Sequence, residues 1–118
     1  LSVNGPFETH MGGLASAVPS PLAWELLSGC LDAGVAISDE VSDAGAAALA
    51  SGELGARITA GPSGASGVGA LLVLGHLPSA KALLELDTDS RILVLVTETA
   101  FQETAADPDG SGATASRV

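Results

Sequence analysis

Apolar residues fall in short blocks separated by turn formers, and each block has its own spacing. Leu22, Leu26 and Leu27, with Trp24 beside them, recur at helical spacing directly after Ser20-Pro21. Ser20 can cap the first free amides, and Pro21 suits the first helical turn, where no backbone donor is required. The pattern predicts a helix over 20–31 with a broad apolar face, bracketed by Gly29 and Gly34. Ala33-Gly34-Val35-Ala36-Ile37 is a short apolar run between turn signals, the pattern of a buried strand. Ser38-Asp39-Glu40 then places cap and acidic residues where negative charge meets the positive end of a helix. That helix takes in Ala46, Ala47, Ala48 and Leu49 and stops near Gly52, and Ile58-Thr59-Ala60 reads as a short strand.

The run from Gly61 to Gly69 leads into Ala70-Leu71-Leu72-Val73-Leu74. A buried helix here must carry several glycines, each costing about 1 kcal/mol relative to Ala, so close packing against another element has to compensate. Pro78-Ser79 opens one more short helix to about Leu86. Arg91-Ile92-Leu93-Val94-Leu95-Val96 has consecutive rather than alternating apolar residues, which predicts a strand covered on both faces, as in a parallel sheet. Strands alternating with helices predict an α/β architecture of parallel strands with flanking helices. Residues 1–101 form the α/β part on this reading. Residues 102–118, with Asp107-Pro108-Asp109-Gly110-Ser111-Gly112, form a flexible acidic tail.

Composition narrows the function classes. Four basic residues (Arg57, Lys81, Arg91, Arg117) face 14 acidic ones, giving a net charge of −10 over 118 residues. A nucleic-acid backbone needs a clustered basic face, so no nucleic-acid partner is expected. Within the uncharged window between Arg57 and Lys81, the continuous apolar part, Val68 to Leu74, is far shorter than the ~20 residues of a spanning helix, and no membrane partner is expected. Cys30 is the one cysteine, which excludes an internal disulfide and suits a reduced, cytoplasmic setting. Between Leu27 and Leu31 it is expected to be buried rather than reactive. The chain begins at Leu1 without a secretory signal pattern, and a fragment or trimmed product is the expectation.

Few residues offer chemistry. Asp107, Asp109, Ser111 and Gly112 open a calcium-loop spacing, but Val118 stands at its closing carboxylate position, and no metal site is expected. His10 and His76 lack a second ligand at helical spacing. Ser63 misses the nucleophile-elbow pattern by one position. Gly64, Gly67 and Gly69 either let a backbone approach an anion or flat ring, or only allow tight packing. Thr97, at the end of the last apolar run, either hydrogen-bonds a ligand ring nitrogen or simply ends a strand.

Several strings together resemble the C-terminal part of fold-type II pyridoxal-phosphate enzymes, most of all the diaminopropionate ammonia-lyase family. They are Met11-Gly12-Gly13-Leu14-Ala15-Ser16, Pro19-Ser20-Pro21-Leu22-Ala23-Trp24, Val35–Val41, Ala60-Gly61-Pro62-Ser63-Gly64-Ala65 and Ile92–Glu98, in family order over residues 7–99. The resemblance implies part of the large α/β domain of a tryptophan synthase β-like fold and a pyridoxal 5'-phosphate cofactor. It also implies elimination of ammonia from a small amino acid such as 2,3-diaminopropionate, in an enzyme that is homo-oligomeric when intact. Ser63 and Gly64 would then lie near the cofactor wall, and Thr97 would meet the pyridine nitrogen. The family's Schiff-base lysine and phosphate loop match nothing here, and Lys81 fits neither motif. Pro62, Thr99 and Ala100 depart from the family pattern as well. The chain alone is therefore expected to be inactive and to need the N-terminal half as its partner. The alternatives are a non-enzymatic small α/β interaction protein, or a segment of a threonine dehydratase- or threonine synthase-like enzyme.

Overall fold

The computed structural model describes Pro6 and residues 8–99. A 3-10 turn at Gly12–Leu14 precedes four helices: α1 (Pro21–Leu27), α2 (Asp39–Ser51), α3 (Pro62–Leu74) and α4 (Pro78–Leu83). Among the described residues there is no strand, which overturns the predicted parallel sheet with flanking helices. Residues 33–37, 57–60 and 91–99 have no regular secondary structure, and no backbone hydrogen bond joins one of these segments to another. A short apolar run says only that the backbone is extended and apolar. A strand also needs a neighbour, and these segments have helices or solvent at their sides.

The centre of the fold is the crossing of α2 and α3. A Cβ built on Gly45 would lie 2.5 Å from the Gly69 nitrogen and 2.6 Å from the Ala65 carbonyl oxygen. One built on Gly69 would collide with the Val41 carbonyl. The two backbones therefore touch, and this contact is the compensation that a glycine-bearing helix requires. Small residues fill the seam: Ala48, Ala65 and fully buried Ser42, whose hydroxyl donates to the Pro62 carbonyl. Leu49, Ala60, Ala65 and Val68 form the buried cluster, with Ala46, Leu72, Val94 and Val96 packed against it. Gly52 ends α2 in the left-handed conformation (φ 80°), which a side chain would strain.

Ser20 accepts a hydrogen bond from the Ala23 amide (3.4 Å) at the start of α1, as its position before Pro21 predicts. The helix ends at Leu27 rather than residue 31, and its apolar face is not buried. Leu22, Trp24, Leu26 and Leu27 are all exposed, and so is Cys30, contrary to the expected burial. Among the described residues no helix packs over α1, so hydrophobic spacing has built a helix without a core to cover it. Residues 91–99 differ from expectation in the same sense. Val94, Val96 and Glu98 are partly buried toward α3, whereas Leu93 and Leu95 are 85% and 74% exposed. The segment is thus covered on one face only. No helix among the described residues is long and apolar enough to cross a membrane. The proposed tail at 102–118, including the calcium-like spacing, lies outside the described residues.

Candidate functional site

The densest polar arrangement gathers at the N-terminus of α3. Gly61 caps the helix, Pro62 occupies its first turn, and Ser63 and Gly64 follow. Four amides in a first turn lack helical partners, so this end attracts negatively charged or hydrogen-bond-accepting groups. Here the chain supplies them itself. The Gly64 amide donates to Glu98 Oε2 (3.3 Å), and the Gly61 amide donates to the Glu98 backbone oxygen (3.1 Å). A Cβ on Gly64 would lie 2.6 Å from that same backbone oxygen, so glycine is what lets residues 97–99 pass this close. Ser63, buried, accepts the Gly13 amide at its hydroxyl (2.9 Å), which pins the Gly12–Leu14 turn to α3.

Ser63 and Gly64 thus sit together, joined by Gly13 and Glu98. Thr97 is the sequence neighbour of Glu98 but is exposed, in the half of the alternation that turns from α3. Glu98 is the residue whose role the sequence conceals. It reads as one letter of a strand-ending string, and only the pair of glycines at positions 61 and 64, on one side of a helix start, hints at room for a side chain there.

A second cluster lies at the start of α2. Asp39 accepts hydrogen bonds from the Thr9 hydroxyl and from the His10 amide (3.0 Å). These bonds, the hydroxyl first, hold its carboxyl below the ordinary aspartate range. The His10 ring spans Asp39 (Nδ1 to Oδ2, 3.3 Å) and Asp43 (Nε2 to Oδ1, 3.0 Å). The Ser38 hydroxyl lowers the Glu40 carboxyl in the same way. An open cleft of about 450 Å³ beside this cluster is bordered by Thr9, Met11, Leu14, Ile37 and Asp39. Among the described residues no group of His, Cys, Asp and Glu is arranged to hold a metal ion.

The α3 N-terminus is only in part a cradle for a phosphorylated ring cofactor. Its amide and its buried hydroxyl suit such a group, but Gly64 is already bonded to Glu98, and the Ser63 hydroxyl already accepts from Gly13. Lys81, the chain's lysine, is exposed on α4. These residues alone do not complete a site for the cofactor.

No protein-family model matches the chain, and no solved structure matches it. Curated relatives do. The chain is 35% identical over 102 residues to diaminopropionate ammonia-lyase of Escherichia coli K12, an alignment covering 83% of the chain and 26% of the relative. The proteins of that name from Escherichia coli O6:H1 and O157:H7 match to the same extent. The chain spans about a quarter of the length of the curated relatives it matches. Over most of its length, then, it is related in sequence to diaminopropionate ammonia-lyase.

Proposed function

We propose that this chain is the C-terminal portion of a pyridoxal-phosphate-dependent ammonia-lyase that eliminates ammonia from a small amino acid resembling 2,3-diaminopropionate. The observation that carries this reading is 35% identity over 83% of the chain to a protein of that name. The bound cofactor would supply the electron sink for the elimination. This chain's own part would be a wall: the Ser63 hydroxyl and the Gly64 amide at the α3 N-terminus would turn to the cofactor on exchanging their present partners, Gly13 and Glu98, and Thr97 would meet the pyridine nitrogen. The reactive lysine and the phosphate anchor belong to the N-terminal half, the partner this reading requires, and the assembled enzyme is a cytoplasmic homo-oligomer. The exposed apolar face of α1 supports a second reading, a non-enzymatic interaction protein.

Incubating the purified chain with pyridoxal phosphate and 2,3-diaminopropionate tests the first reading. Neither pyruvate release nor the absorption of a lysine-bound cofactor is expected from the chain alone. A longer polypeptide from the same coding sequence should show both. Turnover by the 118 residues unaided, or a longer polypeptide that turns over no amino acid, overturns the proposal.

A further inference from the structure

The ring of His10 lies between two carboxylates of α2. Its Nδ1 is 3.3 Å from Asp39 Oδ2, and its Nε2 is 3.0 Å from Asp43 Oδ1. A neutral imidazole carries one N–H, so in either tautomer it turns a nitrogen lone pair toward one of these oxygens. The imidazolium has a proton for both. The carboxylates around the ring favour that charged form: Asp39, Glu40 and Asp43 on α2, and Glu8 two positions before it. The amide end of α2 disfavours a cation, but Asp39 and Glu40 already cover it with negative charge. Among the described residues no Lys or Arg is paired with these carboxylates. The helix α3 brings no charged residue, and Glu98, at its start, is bonded to Gly64.

His10 belongs to a short strap with a fastening at each end. The Thr9 hydroxyl and the His10 amide donate to Asp39, and the Met11 amide donates to the Thr9 hydroxyl (3.1 Å). Met11 is buried, and beyond it the Gly13 amide donates to the Ser63 hydroxyl (2.9 Å). We propose that His10 is a pH-operated clasp on this strap. Protonated, it holds residues 9–13 on α2 with Gly13 on Ser63; neutral, it lets the strap loosen and frees the Ser63 hydroxyl to change partner. Imidazole gains its second proton as pH falls from about 8 to 5, while Asp39 stays ionised to below 3.8. The clasp is therefore closed from about pH 4 to 6 and weakens as pH rises toward 8. The clasp belongs to the chain itself. Only its bearing on the cofactor wall, where Ser63 would exchange Gly13 for the cofactor, rests on the function proposed above.

Nuclear magnetic resonance of the isotope-labelled chain between about pH 5 and 8 tests it. The ring is half exposed and Asp43 is 60% exposed, so the step is that of a solvent-exposed ion pair. Protection of the Gly13 amide, corrected for the intrinsic pH dependence of exchange, should fall about two- to fivefold across the range. The fall should share its midpoint with the titration of the His10 ring. H10Q, which cannot take up a second proton, should abolish the step. D43A, which removes one acceptor and leaves the Asp39 anchor, should shrink it, and H76Q should leave it intact. Protection of Gly13 that ignores pH in the wild type overturns the proposal, as does a step that survives H10Q or vanishes in H76Q. No cofactor enters the measurement, so its outcome is separate from that of the lyase assay.

Discussion

Gly45 and Gly69 meet where α2 crosses α3, so closely that a Cβ on the first would lie 2.5 Å from the nitrogen of the second. The obstacle at each position is backbone, which cannot swing aside as the tip of a side chain can. Gly69→Ala should therefore force the helices apart and cost about 1–3 kcal/mol, the range for overpacking a filled interior, despite the better helix propensity of Ala. Gly67 is the control. A Cβ there would meet only Val94 Cγ1, at 3.2 Å, so Gly67→Ala should be neutral or stabilising by up to about 1 kcal/mol. Urea midpoints of the two variants measure the difference, and equal midpoints would refute the assigned geometry.

Ser42 is fully buried and spends its hydroxyl on the Pro62 carbonyl. Ser42→Ala removes the donor and leaves the acceptor buried without it. The expected loss is about 1–3 kcal/mol, read from the same unfolding curves.

Glu98 holds the last extended segment to the start of α3. Glu98→Gln keeps the size but removes the negative charge, weakening the interaction with the helix end by about 0.3–1 kcal/mol. Hydrogen exchange at the Gly61 and Gly64 amides should accelerate, while α2 amides stay as slow as before. Uniform exchange across both regions would show that Glu98 is not a local fastener.

Acid should undo the second cluster first. Asp39 titrates below its ordinary value of 3.8 because the Thr9 hydroxyl and the His10 amide bond its ionised form. A carboxyl depressed in the folded state contributes stability above its unfolded value, and that contribution fades as pH falls through the lower, folded one. Residues 9–11 should thus detach from α2 below about pH 3.8, observable as chemical-shift changes at Met11. Asp39→Asn should remove this transition. A detachment unaltered by that substitution would assign it to another group.

Helix positions were legible in the sequence. Ser20-Pro21, Ser38-Asp39-Glu40 and Pro78-Ser79 mark the starts of α1, α2 and α4, and the requirement that a glycine-bearing helix pack tightly anticipated the α2–α3 seam. Strands were not legible, because whether Ile92–Val96 lies in a sheet depends on what stands beside it, and periodicity carries no information about neighbours. Of the candidate site, Ser63 and Gly64 were singled out only through the family resemblance, whereas the bond from Gly64 to Glu98 spans 34 residues and leaves no local trace.

The isolation of α1 has its own consequence. A helix of seven residues is marginal in water, and here only the Ser20 cap and Pro21 favour it, with none of its side chains buried. Its winding therefore rests on those two local signals, and loss of either should unwind it before any other helix.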